Sequence, residues 1–346
     1  MSAALAQAWP PFVLVAGLLL IGLIAGRDGL FDLAASHLVR LPGPPVVLLL
    51  ACFGLVALVT ALLNLDTSVV FLTPVLIETA RRRGVDVGAF LYGSVFMANA
   101  SSLFLPGSNL TNLLVLSGRR TTGAAFFAQM LPVALVVPAV TAAGLVLLHR
   151  RGLFAGHGEH RREQPEALQL GLGFWGALLA AALIVILRNA ALPVLAVGLI
   201  LMAVRAVQRR LVVGEMLVWL GLPTLVGLFA LAVALGTLAR ASAFPADLLH
   251  HASAPLTTLV GALASVLVNN LPAAVLLTSS RQLHTGPLLL GLNVGPNLAV
   301  TGSLAALLWW RAARAGGIKP SVLSYSRQGL LLAPLALLAG ILVNGG

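Results

Sequence analysis

Asp66 lies within an apolar run, with Leu62, Leu63 and Leu65 before it and Val69 to Leu72 after it. A carboxylate surrounded by hydrocarbon is costly, so an acid kept there is expected to carry a proton or to ligate a cation. The competing reading makes it part of the cap of a helix that starts after Asn64. Short polar side chains gather in two other stretches: Asn99, Ser101, Ser102, Ser108, Asn109, Thr111 and Asn112 in one, Asn293, Asn297, Thr301 and Ser303 in the other. Their uncharged oxygens suit a neutral hydroxylated solute or a partly dehydrated sodium ion. Ser101, Ser102 and Thr111, taken singly, are expected to serve as interhelical hydrogen-bond partners, worth about 0.6 kcal/mol each. Ser108, Asn109 and Ser303 sit at chain breaks and are expected to be ligands. Asn64, Asn269 and Asn270 lie beside these stretches and either join the site or pin helices.

Other chemistries find no support. The chain has no HExxH, no GxSxG and no paired intramembrane acids, which argues against an enzyme. Lys319 is the sole lysine and sits in GGIKPS rather than in a phosphate-binding loop, so no ATPase is encoded and energy must come from an ion gradient or a partner. Cys52 stands alone, which excludes an intrachain disulfide and a thiolate metal cluster. His149, His157 and His160, with Glu159 and Glu163, are spaced too loosely for a metal site and read as a solvated loop. No resident metal or cofactor is expected.

The elements that position these residues must be membrane helices. Of 346 residues, 59% are hydrophobic and 9% charged, too little charge to coat soluble domains of this length. Long apolar runs separated by short arginine-bearing loops describe an all-α polytopic membrane protein, and runs apolar on every side disfavour a β-barrel. The net charge of +11 comes from clusters such as Arg81 to Arg83 and Arg209 to Arg210 between runs, a topology signal rather than a nucleic-acid surface. The first run lacks basic residues before Arg27 and a small-residue cleavage site, so it reads as a retained helix. GLFDLAASHLVR, from Gly29, reads as an interfacial helix.

Two halves share an order of features. NLDTSVVFLTP from Asn64 aligns with NNLPAAVLLTS from Asn269, and NASSLFLPGSNLTNLL from Asn99 aligns with NVGPNLAVTGSLAALL from Asn293. Val87 to Gly118 is longer than one crossing, broken by Pro106-Gly107, and flanked by arginines on both sides; Thr285 to Trp310 repeats the pattern around Gly295-Pro296. Each is expected to be a re-entrant helical hairpin. An odd number of crossings separates them, so they open to opposite faces as an inverted repeat. The chain then comprises about 8 transmembrane helices plus two hairpins: repeat one at 1–148, a hydrophilic loop at 149–167, linking helices at 168–210 and repeat two at 211–346.

LNLDTSVVFLTPVL from Leu63, GSNLTN from Gly107, VNNLPAAVL from Val268 and NVGPNLAVTGSLAALLWW from Asn293 resemble the signature stretches of bacterial arsenite efflux permeases. That family lies within the ion transporter superfamily, which also holds sodium-coupled di- and tricarboxylate carriers. The resemblance runs from about Leu14 to the end and implies about two further N-terminal spans in the family than here. It departs at Asn293, Asn297 and Ala299, where the permeases usually carry an acid, a lysine and a threonine. It implies a secondary transporter of the cell (inner) membrane that exports arsenite or antimonite against proton entry. The solute would bind between two hairpin tips at Asp66, Asn64, Asn99, Ser108, Asn109, Asn112, Asn269, Asn270, Asn293, Asn297, Thr301 and Ser303. The alternative is a sodium-coupled di/tricarboxylate or other anion carrier. The partners it implies are the solute and the lipid bilayer, with room for a homodimer and for a separate ATPase subunit.

Overall fold

The computed structural model describes residues 1–119, 121–155, 170–208, 214, 221–242, 249–278 and 284–344. These residues form sixteen α-helices and short 3-10 turns. α1 (Ser2–Arg27) is followed by the short α2 (Leu30–Val39), which packs on α1 and α4 and occupies the stretch expected to lie at the interface. α3 (Pro45–Leu62) starts on a proline, where a missing N–H costs nothing, and α4 (Leu65–Arg82) starts on Asn64, whose Oδ1 accepts from Thr67 N at 2.7 Å. α5 (Val87–Ala100), capped by Asp86, gives way to an extended stretch with a 3-10 turn at Pro106–Ser108 and then to α6 (Leu110–Leu116). α7 (Gly123–Leu148) and α8 (Arg150–Ala155) follow; His157, His160, Glu159 and Glu163 lie outside the described residues.

α9 (Leu172–Ile186) and α10 (Ala191–Val207) pack on α1, as does α11 (Leu222–Ala241). α12 (Ala254–Val268) meets α13 (Asn270–Leu277) at Asn269, whose φ of 76° makes it the one non-glycine with positive φ among the described residues. α14 (Thr285–Val294) runs into 3-10 turns at Gly295–Leu298 and Val300–Gly302 before α15 (Leu304–Ala315), and α16 (Val322–Asn344) closes the chain. Among the described residues, α1, α3, α7, α11 and most of α16 are long and apolar enough to cross a membrane.

The hairpins are not where the sequence places them. Ser68 Oγ donates to Val56 O at 3.3 Å, a contact between residues that a continuous helix would hold about 18 Å apart. The apolar run Val46 to Glu78 is therefore folded back on itself at Leu63-Asn64, as α3 and α4. α13 likewise packs back on α12 beyond Asn269. By contrast α5 and α6 do not pack along each other, nor do α14 and α15; each pair is one interrupted helix. The physical reason is at the breaks. The reversals are short, two residues at Leu63-Asn64 and one at Asn269, with Asn269 at a positive φ of 76°. The Pro106-Gly107 and Gly295-Pro296 segments instead spread over extended and 3-10 residues that unwind a helix without reversing it.

Close backbone approach fixes these elements. A Cβ built on Gly291 would stand 2.1 Å from Thr258 O, and one on Gly295 would meet Ala262 and Ser265. Gly291 and Gly295, four residues apart, thus let α14 lie against the α12 backbone, as small residues do between membrane helices. Trp309, Tyr92, Phe96 and Tyr325 form a buried aromatic cluster with centroids 4.8 to 5.6 Å apart. Trp309 Nε1 donates to Leu91 O, and Tyr325 Oη to Pro296 O, a carbonyl of the second break that also accepts from Ala299 N.

Candidate solute-binding site

The starts of four helices converge on one cavity. It is lined by Leu65 and Asp66 of α4, Asn109, Leu110 and Thr111 at α6, Asn270 and Leu271 of α13, and Ser303, Leu304 and Ala305 at α15. Each start carries a side-chain cap: Asn64 on Thr67 N, Asn109 on Thr111 N, Asn269 on Leu271 N and Ser303 on Ala306 N. Capping uses only part of the N–H set of a first turn, so these starts keep donors beside the cavity. α4, α13 and α15 also direct the positive ends of their dipoles there; α6, with seven residues, contributes mainly its cap and its N–H groups.

The opposite ends of these helices are held at the periphery. Arg81 donates to Gly316 O beyond the end of α15. Gln7 Nε2 reaches Leu114 O in the last turn of α6 and Thr278 Oγ1 at the end of α13, and Arg240 donates to the Gln7 amide oxygen. Arginine near helix C-termini matches the negative end of the dipole. So α4 and α15 run together from the cavity to one end, and α6 and α13 run together to the other.

Asp66, half-buried, occupies the second position of α4 and takes no hydrogen bond from a described residue. Asn64 rather than Asp66 is the cap. Asn109, Asn270 and Ser303 line the cavity with it. Asn99, Asn112, Asn293 and Asn297 form a fully buried network behind the wall: Asn99 Nδ2 donates to Asn297 Oδ1 at 2.8 Å, Asn297 Nδ2 to Phe96 O, and Asn293 Nδ2 to Asn112 Oδ1 at 2.8 Å. Asn64 and Asn269 stand at the reversals. Ser108 does not line the cavity; its hydroxyl accepts from Leu105 N and donates to Ala61 O. Thr301 is exposed, and its carbonyl accepts from Asn269 Nδ2.

Other buried charge escapes a reading of the sequence that takes Asp66 as the main case. Arg205 and Asp28 pair at 2.6 Å with side chains 11% and 8% exposed, and Asp28 also accepts from Gly173 N at the start of α9. Arg83, 2% exposed, donates to the carbonyls of Val39, Leu41 and Gly43. Asp28 sits at the end of an apolar run beside Arg27, which resembles an exposed flank until α9 and α10 cover it.

A family model described as CitMHS, citrate transporter, matches residues 2–305. The chain is 25% identical over 369 aligned residues to a 46 kDa membrane protein of Mycobacterium leprae, covering 96% of this chain and 85% of that protein. It is 25% identical over 358 residues to an arsenical pump membrane protein of Yersinia enterocolitica, covering 94% and 83% respectively. Its fold is similar to the crystal structure of the Alcanivorax borkumensis YdaH transporter, described as having an unusual topology, with a TM-score of 0.59 at 15% identity over 99% of this chain and 86% of that one. With the family model spanning most of the chain, this multi-pass membrane protein belongs to the CitMHS citrate transporter family and is a secondary transporter, not an enzyme.

Proposed function

We propose that the chain carries a di- or tricarboxylate, bound where α4, α6, α13 and α15 begin and coupled to a proton or sodium ion through Asp66. The observation that carries this reading is the convergence of helix starts on a cavity lined by Asp66, Asn109, Asn270 and Ser303. An ionised carboxylate only accepts hydrogen bonds, and backbone N–H groups at helix starts only donate them. With no arginine or lysine among the described lining residues, a bound anion depends on these donors, and a cation or proton at Asp66 offsets the repulsion of its carboxylate. The family's description as citrate transporters agrees with the substrate class.

Arsenite or antimonite efflux against proton entry is the second reading, favoured by the arsenical pump relative. Arsenous acid is a neutral O–H donor and would rely on Asp66 and the amide and hydroxyl oxygens as acceptors. The architecture behind either reading is an inverted repeat, 1–148 and 211–346, joined by the loop at 149–167 and the helices of 168–210. Each half has a folded-back pair, an interrupted helix and a long helix in that order. The long helices α7 and α16 are antiparallel, since Gly144 faces Leu332 while Val137 faces Gly340. Solute between half-helix starts and alternating access by the two halves follow from that arrangement.

Purified protein in liposomes, supplied with labelled citrate or arsenite under imposed proton or sodium gradients and without ATP, tests the proposal. Gradient-driven citrate accumulation is the expected result, and it would also dispense with an ATPase subunit. Arsenite movement with no citrate movement would select the second reading, and movement of neither would overturn both.

A further inference from the structure

We infer that Asn293, from the interrupted helix of the second half, is a positioning residue that sets the Asn109 carboxamide at the cavity wall in the first half. The inference deepens the proposed reading, because it rests on that cavity taking the solute. Asn293 lies outside the lining and is 0% exposed, so it acts through another group. Its carboxamide is fully used: Oδ1 accepts from Asn109 Nδ2 at 2.6 Å and from Ser102 Oγ at 2.5 Å, while Nδ2 donates to Asn112 Oδ1 and to Leu289 O, each at 2.8 Å. A side-chain amide offers two acceptor sites and two donors, and all four are engaged. Leu289 O fixes the ring of partners to α14, and the remaining three partners belong to the first interrupted helix.

The four caps differ in how they are held. Among the described residues Asn64 Nδ2 has no partner, Asn269 Nδ2 bonds the backbone of Thr301, and Ser303 has a single hydroxyl. Asn109 alone of the four is held by a side chain of the other half. With Nδ2 committed to Asn293, its Oδ1 stays on Thr111 N and cannot flip, so the wall presented to solute is set from across the molecule. A solute bound there senses both halves through one amide pair.

The test is a cycle of Asn109→Ala, Asn293→Leu and the double variant, read as KM and maximal rate for citrate uptake in liposomes. Each single change is expected to raise KM about tenfold with little change in maximal rate, and the double variant to raise it no further than Asn109→Ala alone. Additive effects, or an Asn293→Leu KM equal to that of the unaltered protein, would overturn the inference. Asn293→Ser repeats the cycle should Asn293→Leu not fold. Hydrogen exchange on the unaltered protein supplies an arm independent of the solute. The Thr111 amide is expected to exchange more slowly than that of Thr67, whose cap is held on one side only, and Asn293→Ser should erase the difference. Equal exchange in the unaltered protein would overturn the role of Asn293, whereas protected Thr111 without citrate uptake would overturn the carboxylate reading alone.

Discussion

Asp66 faces the cavity beside four uncharged polar residues, Asn109, Thr111, Asn270 and Ser303, and accepts no hydrogen bond from a described residue, so its carboxylate is available to a proton, a cation or a solute hydroxyl. Asp66→Asn keeps the shape and removes the charge. Gradient-driven accumulation should fall to background while membrane insertion and a monodisperse elution profile persist; accumulation at the unaltered rate would contradict a coupling role. Asp28 and Arg205 have a different task. Removing one partner of a buried pair strands the other charge, which costs about 3–5 kcal/mol. Arg205→Met should therefore lower the melting temperature strongly and Asp28→Leu with Arg205→Met should recover most of the loss; a double variant as unstable as the single one would show that the pair is not the cause. Asp66 was legible in the sequence because leucines and valines enclose it on both sides. The Asp28 pair was not, because its burial comes from packing by α9 and α10, distant along the chain. Asn109, Asn270 and Ser303 were legible as polar groups at breaks, but only geometry separates them from Asn293 and Asn297, which are likewise short polar side chains near a break and stand behind the wall.

Helix reversals and helix interruptions look alike in a hydropathy pattern, and this chain contains both. Glycine and proline mark Val87 to Gly118 and Thr285 to Trp310 as broken, and they are broken, yet without the fold-back expected of them. The reversals fall at Leu63-Asn64 and at Asn269, where no glycine or proline stands and only two residues or one part the helices. A short bifunctional thiol reagent checks the first of these. Cysteines at Val56 and Ser68, on a Cys52→Ala background, should cross-link readily, because Ser68 Oγ and Val56 O lie 3.3 Å apart; a continuous helix would separate them by about 18 Å and give no product. Packing of α14 on α12 predicts a second outcome. Gly291→Leu would force side-chain atoms into the Thr258 carbonyl, which a Cβ alone already approaches to 2.1 Å. Its thermal midpoint should fall by an amount equivalent to about 1–3 kcal/mol or more, as in an overpacked core. An unchanged midpoint would contradict the close approach.

For the whole molecule, scarcity of charge foretold a membrane protein, and the paired motifs are the basis on which two matched halves are proposed. The alignment that pairs Asn64 with Asn269 puts both on helix caps at reversals, and the one that pairs Asn99 with Asn293 brings Asn109 and Ser303 to equivalent caps at α6 and α15. What the pattern could not supply is that all four caps meet, since that depends on α4 lying along α15 and α6 along α13, each pair drawn from both proposed halves. In the proposed account this convergence is the solute site, and the amide network behind it joins the halves. A cryo-EM map of the protein in lipid nanodiscs with citrate tests that claim most directly. The account predicts density for the carboxylate within hydrogen-bonding distance of the first-turn N–H groups beside Asn109 and Ser303 and next to Asp66. Well-ordered citrate anywhere else, with this cavity empty, would contradict it.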